Sequence, residues 1–472
     1  MKSDFGLIGL AVMGENLALN IERNGFRVSV YNRTTDKVTS FMQGRGRGKN
    51  FYGALSPEDF CNSLKKPRRI MLMVKAGQAV DDTIRTILPY LEKDDIIIDG
   101  GNSNYTDTER RVNELGEQGI IYVGSGVSGG EEGALNGPSI MPGGDERAWP
   151  SIKPVFEAIT AKVGKDHESC VTWIGAGGSG HFVKMVHNGI EYGDMQIICE
   201  GYDIARKLMK LDNPAIAGLF EKWNNGRLSS YLVEITARIL KFKEGDHYLV
   251  DKILDTAGQK GTGKWTSITA LEEGTPLNLI TESVFARYIS AQKELRDQLS
   301  GEYQEAHSKP AGTESLLSLN AEELEAAIYA SKLLSYAQGF ELITRKSRSK
   351  GWNIDPVSLA KIWRGGCIIR STFLDDIATA YAKHGDMETL LLSGFYRDNL
   401  PGAIESLRKV VGAAALAHVP AACMSAALSY YDSVTSSRLP ANLLQAQRDY
   451  FGAHTFERTD APRGQFFHNQ WE

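Results

Sequence analysis

Short apolar runs alternate with amphipathic stretches from the start of the chain to Ile174. The stretches between the runs have helical periodicity, and two of them, Glu15–Asn24 and Thr106–Gln118, end directly before a glycine, as helices commonly do. Regular alternation of this kind predicts a parallel sheet with helices on both faces. The predicted buried strands are Phe5–Leu10, Arg27–Tyr31, Arg69–Val74, Ile96–Asp99 and Ile120–Val123.

The pattern changes after Ile174. The glycine-rich segment Gly175–Gly180 is followed by long helical patterns with few strand signals, until Ser436–Pro440 interrupts them. The last residues contain glycine, proline and aromatic side chains with little periodicity. We therefore predict an α/β N-terminal domain, a large all-α domain and an extended C-terminal tail, with limits at 1–176, 177–434 and 435–472.

A dinucleotide-binding motif lies between the first predicted strand and the first predicted helix. The first glycine permits a tight turn, the small middle alanine lets backbone approach a pyrophosphate, and the last glycine permits close packing of helix on strand. Its position between strand and helix makes the N-terminal domain Rossmann-like. The motif, all of which we predict to contact the cofactor, is Gly9-Leu10-Ala11-Val12-Met13-Gly14.

The end of the second predicted strand indicates which dinucleotide is bound. The sequence there is Asn32-Arg33-Thr34, where NAD enzymes usually carry a carboxylate that binds the ribose hydroxyls. A carboxylate repels a 2′-phosphate, whereas Arg33 can form a bidentate pair with one. We therefore predict that the cofactor is NADP, the alternative being that Arg33 is an ordinary exposed turn residue.

A literal GxGxxG occurs a second time, at Gly175–Gly180. It follows the strand-like run Val171–Ile174 and precedes a helix. No parallel strand with a ribose-binding terminus follows it, so we interpret this segment as a hinge between domains and not as a second nucleotide site.

Four polar residues beyond this segment share one face if they are helical: Lys184, His187, Asn188 and Glu191, at i, i+3, i+4 and i+7. Oxidation of an alcohol needs a base for the hydroxyl proton, and a lysine with a pKa lowered by burial can serve. A carboxyl group one turn away can make a second proton transfer. From spacing alone, an exposed helix face with an ordinary Lys–Glu pair explains the pattern equally well.

Polar, glycine-rich segments also end several predicted strands, although each alone could be a simple turn. Backbone amides near Ser128–Gly130 would suit a carboxylate. The segments are Val74-Lys75-Ala76, Asp99–Ser103 and Ser125–Glu131.

Charge and cysteine content exclude several classes of function. The net charge of −5 gives no overall attraction to nucleic acid or to an anionic membrane, and the basic segment Gly44–Lys49 is interpreted as a solvated loop. Val410–Tyr431 lacks charged residues, but it is rich in alanine and interrupted by His418 and Pro420, which favours buried helices over a membrane span. The five cysteines are scattered, so we expect no disulfide framework and no metal site, and a reducing cytoplasm fits.

Taken together, these motifs identify a resemblance that covers essentially the whole chain. The sequence resembles the family of decarboxylating, NADP-dependent 6-phosphogluconate dehydrogenases. Beyond the motifs above, the resemblance rests on Gly180–Tyr192, Lys260–Trp265, Phe285–Tyr288 and Gln447–His454.

The resemblance implies roles for the matching positions. Lys184 is expected to remove the hydroxyl proton at C3 and Glu191 to protonate the carbon that loses CO2. Arg448 and His454 are expected to reach the site from the tail of a partner subunit, which implies an obligate homodimer with shared active sites. The implied substrate contacts are Asn102, Ser128, Gly129, Gly130, His187, Asn188, Tyr192, Lys260, Arg287, Arg448 and His454. Beyond the Gly9–Gly14 motif, the expected cofactor contacts are Asn32, Arg33, Thr34, Val74, Lys75, Ala76 and Asn102.

Two alternatives remain at this stage. A related β-hydroxyacid dehydrogenase would share the first domain and the Lys-x-x-x-Asn helix, but would be shorter and would lack the phosphate-binding cations and the tail. A catalytically silent NADP-binding protein would be expected to have lost Lys184 or Glu191, both of which are present.

Overall fold

The computed structural model describes residues 1–259, 261–303 and 318–471. Strands and helices alternate over the N-terminal part, as predicted. The strands are β1 Phe5–Ile8, β2 Val28–Tyr31, β3 Phe51–Gly53, β4 Arg69–Leu72, β5 Ile96–Asp99, β6 Ile121–Ser128 and β7 Ser139–Gly144. The helices between and after them are α1 Val12–Arg23, α2 Thr35–Gln43, α3 Pro57–Asn62, α4 Gln78–Ile87, α5 Tyr105–Gly116, α6 Gly130–Asn136 and α7 Trp149–Ile159.

These strands form one seven-stranded sheet in the order β3-β2-β1-β4-β5-β6-β7. All neighbours are parallel except β6 and β7, so the five predicted strands form a parallel sheet as expected and the antiparallel edge is added by β7. The short helix α6 connects β6 to β7 and reverses the chain direction. Neither β3 nor β7 was predicted, because β3 has three residues and β7 ends in a Pro-Gly-Gly sequence that is typical of a turn.

Both faces of the sheet are buried. Successive residues of β4 and β5 alternate between two apolar clusters: Met71, Ile96 and Ile98 belong to one, and Ile70, Leu72 and Ile97 to the other. A strand that is buried on both faces has a continuous apolar sequence, which is why these runs were easy to identify.

The rest of the chain is mostly helical. Its helices are α8 Ser179–Lys207, α9 Asn213–Asn224, α10 Tyr231–Lys241, α11 Thr262–Glu272, α12 Asn278–Ser290, α13 Lys293–Glu302, α14 Ala321–Lys350, α15 Pro356–Ile362, α16 Leu374–His384, α17 Gly394–Leu416, α18 Ala422–Val434 and α19 Ala441–Gly452. Two short antiparallel hairpins are also present: β8 Lys162–Val163 with β9 Glu168–Ser169, and β10 Lys243–Glu244 with β11 His247–Tyr248. The α/β domain followed by a mainly helical region confirms the predicted fold class, although the second hairpin shows that this region is not all-α.

The segment Gly175–Gly180 brings the long helix α8 against the sheet. A Cβ on Gly180 would lie 2.3 Å from the Gly124 carbonyl oxygen and 2.5 Å from the Met141 carbonyl oxygen. Glycine is therefore needed here so that α8 can pack closely on β6 and β7. The preceding run is not a strand as predicted, because within it only Val171 forms a bridge, to Ile140.

The chain divides into two compact units, Met1–Ala427 and Leu428–Glu472. Residues 435–472, predicted as an extended tail, make up most of the second unit and contain α19, whose interrupted apolar pattern gave little signal in the sequence. The organising residue of this unit is Asp449, whose side chain is fully enclosed and accepts hydrogen bonds from the amides of Thr455 and Asn469, from His468 Nδ1 and from Trp471 Nε1.

No helix among the described residues is long and apolar enough to cross a membrane. The uncharged stretch 410–431 forms the end of α17 and most of α18, and the two helices are separated at His418, which has a φ of +56°.

Candidate active site

The turn between β1 and α1 forms the first part of the site. Gly9 has a φ of +106°, and a Cβ there would lie 2.4 Å from the Met73 carbonyl oxygen, so this position requires glycine. A Cβ on Gly14 would lie 1.9 Å from the Gly9 carbonyl oxygen, so glycine also allows the helix to begin directly behind the turn. Ala11 and Val12 are exposed at the start of α1. The positive end of the helix dipole is therefore accessible to a pyrophosphate.

A cavity of about 430 Å³ opens beside this turn. Asn32 fixes the end of β2 against the turn, because its Oδ1 accepts a hydrogen bond of 3.0 Å from the Leu10 amide. Arg33 and Lys37 are exposed at the cavity, and neither forms an ion pair within the described part of the chain. Such cations suit a 2′-phosphate. The predicted cofactor contacts that line the cavity are Gly9, Asn32, Arg33, Thr34, Val74 and Lys75.

A second cavity, of about 680 Å³, is lined by residues of β6, α8, α11 and α12. Met13 comes from the cofactor helix and Asn102 from the loop after β5, so this cavity joins the cofactor turn to the polar face of α8. The predicted residues that line it are Met13, Asn102, Ser128, Gly129, Gly130, Lys184, Asn188, Glu191, Tyr192 and Arg287.

The four polar residues of α8 lie on one face, at hydrogen-bonding distances or close to them. Lys184 Nζ donates to Asn188 Oδ1 at 2.8 Å and lies 3.4 Å from His187 Nδ1, which in turn lies 3.9 Å from Glu191 Oε2. Strand β6 makes room for this face, because a Cβ on Gly126 would lie 2.3 Å from the Lys184 Cβ. The glycine therefore allows a lysine to pack directly against the sheet.

Burial shifts the proton affinities of this face in the directions that acid–base chemistry needs. Burial lowers the pKa of Lys184, and the negative charge of Glu191 opposes this shift only in part. Burial raises the pKa of Glu191 against the opposing charges of Lys184 and Arg287. Burial and the charge of Lys184 also hold the pKa of His187 well below its usual value, so that its imidazole is neutral. Burial therefore makes the Lys184 ammonium group release its proton more readily and makes the Glu191 carboxyl group hold its proton more tightly than either would in water.

His187 lies behind the cavity and not in its wall. Its Nε2 is 3.1 Å from Ser128 Oγ, and its ring packs edge-on against Trp363. Ser128 Oγ also accepts a hydrogen bond of 3.4 Å from the amide of Ile368, a residue of the loop before α16. The Ser128 hydroxyl is therefore held from two sides.

Arg287 marks the opposite end of the cavity. Its guanidinium carbon lies 3.5 Å from the centre of the Tyr192 ring, and its Nη1 donates to the Gly258 carbonyl oxygen at 3.1 Å. Stacking of this kind holds a cation in place while leaving other donors available for an anion.

Comparison with known proteins agrees with this arrangement. The model for the NAD binding domain of 6-phosphogluconate dehydrogenase matches residues 4–175, and that for the C-terminal domain of 6-phosphogluconate dehydrogenase matches residues 180–471. A decarboxylating 6-phosphogluconate dehydrogenase from Aggregatibacter actinomycetemcomitans is 54% identical over 100% of this chain and 97% of its own length. The chain belongs to the 6-phosphogluconate dehydrogenase family.

Two further relatives within the 6-phosphogluconate dehydrogenase family extend the comparison. Decarboxylating 6-phosphogluconate dehydrogenase 1 of Saccharomyces cerevisiae is 54% identical over 97% of this chain and 93% of its own length. The solved 6-phosphogluconate dehydrogenase of Plasmodium falciparum, described in its apo form, with its cofactor NADP+ and with its substrate 6-phosphogluconate, is 46% identical. It superimposes with a TM-score of 0.93 over 99% of this chain and 100% of that one.

Some of the predicted site residues line neither cavity. Leu10 and Gly14 are buried in the cofactor turn, and Ala76 belongs to the loop whose other residues line the first cavity. Lys260 lies outside the described residues. Arg448 and His454 belong to the second unit, where Arg448 Nη1 donates to Gln445 Oε1 and His454 packs against the Phe451 ring.

The structure adds cavity residues that sequence reasoning missed. Lys37 lies in the first turn of α2, four residues after Arg33, and this closeness in sequence could have indicated a second cation beside the 2′-phosphate. Thr262 lies within the Lys260–Trp265 motif and accepts a hydrogen bond from Asn188 Nδ2 at 3.2 Å. The others carry no chemical signal in the sequence: Val127, Met195, Gly258, Gln259 and Ile368.

Proposed function

We propose that this chain oxidises 6-phospho-D-gluconate and decarboxylates it to D-ribulose 5-phosphate and CO2, with reduction of NADP to NADPH. The observation that carries the proposal is that Lys184 and Glu191 line one cavity together with Met13 of the cofactor turn and Asn102. The activity is that for which the full-length relatives are named.

The first cavity fits NADP. The Gly9 turn leaves the start of α1 open for the pyrophosphate, and Arg33 and Lys37 supply cations for the 2′-phosphate. When bound, NADP accepts the hydride from the substrate carbon. We infer that Val74, Lys75 and Ala76 border the cofactor on the side opposite Arg33.

Lys184 is proposed as the base of the oxidation step. Burial lowers the pKa of its ammonium group, which makes the neutral amine available to take the proton of the C3 hydroxyl. Asn188 Oδ1 accepts from its Nζ and so orients the amine. After proton transfer the ammonium lies beside the new carbonyl oxygen, whose negative charge grows as CO2 leaves.

Glu191 is proposed as the acid of the last step. Burial raises the pKa of its carboxyl group, which favours the protonated form. About 22% of its side chain remains exposed, so it can be reprotonated from solvent. Loss of CO2 leaves an enediol whose carbon must gain a proton, and Glu191 lies one helical turn from His187 and two from Lys184 on the same face.

The remaining proposed substrate contacts fall into two sets, one of neutral groups and one of cations. We propose that neutral donors and backbone groups bind the carboxylate and the hydroxyls, and that cations bind the phosphate. The first set is Asn102, Ser128, Gly129, Gly130, His187, Asn188 and Tyr192, with His187 acting through Ser128. The second set is Lys260, Arg287 and Arg448, with His454 beside them.

We also propose a homodimer in which the tail of each chain completes the site of the other. The supporting observation is that α11, α12 and α13 together carry several exposed large apolar side chains, which an isolated chain would leave in water. They are Ile268, Leu271, Phe285, Tyr288, Ile289, Leu295 and Leu299.

Two further proposals concern the domain limits and the location of the protein in the cell. We retain the domain limits 1–176, 177–434 and 435–472 as a proposal, beside the family-model matches to 4–175 and 180–471. A cytoplasmic location is proposed because all five cysteines are free thiols, as a reducing compartment allows.

The experiment is to measure NADPH absorbance and CO2 release with 6-phosphogluconate and NADP, using unphosphorylated gluconate as the control substrate. We expect NADPH and CO2 in equal amounts with 6-phosphogluconate and neither with gluconate, because gluconate cannot engage the cations at the Arg287 end. Lys184→Ala should lower the rate by a factor on the order of 10² to 10⁴.

Two results would contradict the proposal. A folded, NADP-binding wild-type protein that forms no NADPH would show that the substrate is a different acid or that the protein is silent. NADPH without CO2 would show a dehydrogenase that does not decarboxylate.

A further inference from the structure

Arg111 of α5 is a buried arginine that no step of the proposed reaction uses. Its side chain is 1% exposed. Its Nε donates to Asp81 Oδ1 at 2.8 Å, and its Nη2 donates to Asp81 Oδ2 at 2.9 Å and to the Gly77 carbonyl oxygen at 3.1 Å. Its Nη1 lies 3.6 Å from Asp99 Oδ2. One guanidinium thus reaches two separate loops at the carboxyl edge of the sheet.

The first of these loops, Val74–Gly77, ends at the backbone carbonyl that Arg111 binds. Val74 and Lys75 line the cofactor cavity, and Asp81 lies in the first turn of the helix that follows. Gly77 has a φ of +87°, so the chain turns sharply at the residue that accepts the hydrogen bond.

The second loop, Asp99–Ser103, carries Asn102 into the catalytic cavity. Its conformation depends on Asp99, whose carboxylate accepts from the Gly101 amide at 3.0 Å, from Ser103 Oγ at 2.6 Å and from Tyr122 OH at 3.2 Å. The two loops also touch directly, since a Cβ on Gly101 would lie 3.1 Å from the Val74 carbonyl oxygen.

The same face of α5 contacts the catalytic helix. Thr108 Oγ1 lies 2.6 Å from His181 Nδ1, and His181 precedes Lys184 by three residues on α8. Helix α5 is therefore connected to the cofactor loop, to the Asn102 loop and to the helix that carries the base.

Arg110 provides an internal comparison. It is the neighbouring residue of α5 and also pairs with Asp81, its Nη2 donating to Oδ1 at 3.0 Å, but its side chain is 42% exposed and its other partner is Glu114 on the surface. Arg110 thus shares the Asp81 ion pair with Arg111 but contacts neither Gly77 nor Asp99.

We propose that Arg111 is a positioning residue that holds the Val74–Gly77 loop and the Asp99–Ser103 loop at a fixed separation, so that cofactor binding and substrate binding depend on one buried guanidinium. Loss of Arg111 releases both loops together. The chemistry of Lys184 and Glu191 depends on it less, because both are on α8. The part of this inference that concerns the substrate rests on the proposed function, and the part that concerns the cofactor rests on the geometry of the first cavity.

The test compares Arg111→Met and Arg111→Lys with Arg110→Met and Arg110→Lys in the full-length enzyme. We measure kcat, the KM values for NADP and 6-phosphogluconate, and the Kd for NADPH by its fluorescence. Arg111→Met should raise both KM values by about 10-fold or more, since it removes the charge-assisted hydrogen bonds that position the two loops, with a smaller change in kcat. Arg111→Lys should recover part of the loss, and both Arg110 variants should stay within about twofold of wild type.

Several outcomes would overturn the inference. One is unchanged KM values in Arg111→Met with only a smaller active fraction, which would indicate a purely structural residue. Another is a rise in one KM alone, which would show that the loops are independent. Failure of both Arg111 variants to fold would likewise assign the residue to stability. If wild type forms no NADPH at all, the proposed function fails, whereas the NADPH Kd still tests the cofactor half of this inference.

Discussion

Lys184 combines two properties that oppose each other. Its side chain is only 6% exposed, and its Nζ has Asn188 Oδ1 as its closest acceptor and no carboxylate at ion-pair distance in the part of the chain that the structure describes. A buried ammonium with neutral neighbours releases its proton readily, which suits a base, but in its charged form it destabilises the fold. The catalytic residue is therefore expected to reduce stability.

We expect Lys184→Met to raise thermal stability at neutral pH while abolishing turnover. Because burial lowers the pKa of Lys184 in the folded state, the unfolded chain binds this proton more tightly. The destabilisation is complete at pH values below the lowered pKa and disappears as the pH rises towards the unfolded value of about 10.4. The midpoint should rise by about 2–4 °C at pH 7, as for about 1 kcal/mol in a large domain, and the gain should shrink by pH 9.5.

Lys207→Met is the matched control, since Lys207 ends the same helix but its side chain is 53% exposed and paired with Asp203. Its melting temperature should differ little from wild type at any pH. A Lys184→Met protein that is less stable than wild type at pH 7 would show that the lysine is better solvated than its burial indicates.

The sequence predicts which site residues lie close together where they belong to one helix, because spacing along the helix then determines which side chains are neighbours. Lys184, Asn188 and Glu191 lie on one helix, and the 3.6-residue period places them together without knowledge of the rest of the fold. Ile368 reaches the same cavity from a loop 240 residues beyond Ser128, and no local pattern predicts such a contact. Likewise, the sequence could not show that His187 lies behind Ser128, because that depends on how α8 packs against β6.

At the scale of elements, cofactor choice depends on how β2 ends and α2 begins. Arg33 lies two residues after the end of β2 and Lys37 lies in the first turn of α2, and both line the cofactor cavity. A cation there forms an ion pair with the 2′-phosphate of NADP, whereas the 2′-hydroxyl of NAD offers only a neutral hydrogen-bond acceptor.

We expect Arg33→Glu to raise the Kd for NADPH by about 10- to 100-fold, the equivalent of about one charged hydrogen bond, and to change the Kd for NADH much less. Fluorescence titration with NADPH and NADH measures both. Arg47→Glu is the control, because it makes the same charge reversal on the exposed loop after α2. Equal weakening of both dinucleotides would refute the 2′-phosphate contact.

The elements that the sequence did not predict lack the continuous apolar pattern of the central strands. Strands β1, β4 and β5 are buried on both faces and have continuous apolar sequences. Strand β7 contains Pro142, Gly143 and Gly144, and its edge position at the end of the sheet tolerates residues that a central strand would exclude. Helix α19 was missed because its stability depends on Asp449 and the residues that fold back onto it, and not on an apolar face.

At the scale of the whole molecule, the second unit holds two predicted substrate contacts in a defined conformation. Asp449 lies next to Arg448, and its carboxylate accepts from the Thr455 amide at 3.0 Å, which fixes the turn that carries His454. A tail that is folded in this way can hold Arg448 and His454 in a fixed arrangement. The proposed homodimer requires that both residues reach the cavity of the partner subunit.

Subunit mixing tests this arrangement. We expect Lys184→Ala and Arg448→Ala dimers each to be impaired, and their co-expressed heterodimer to contain one intact site, formed by the body of the Arg448→Ala chain and the tail of the Lys184→Ala chain. Heterodimers isolated with two different affinity tags should therefore recover up to half of the wild-type kcat, with a normal KM for 6-phosphogluconate.

Lys184→Ala paired with Glu191→Gln is the control, because both changes lie in the body and every site stays defective. If the tail served its own chain, the Arg448→Ala heterodimer would stay as impaired as this control, and the shared site would be excluded.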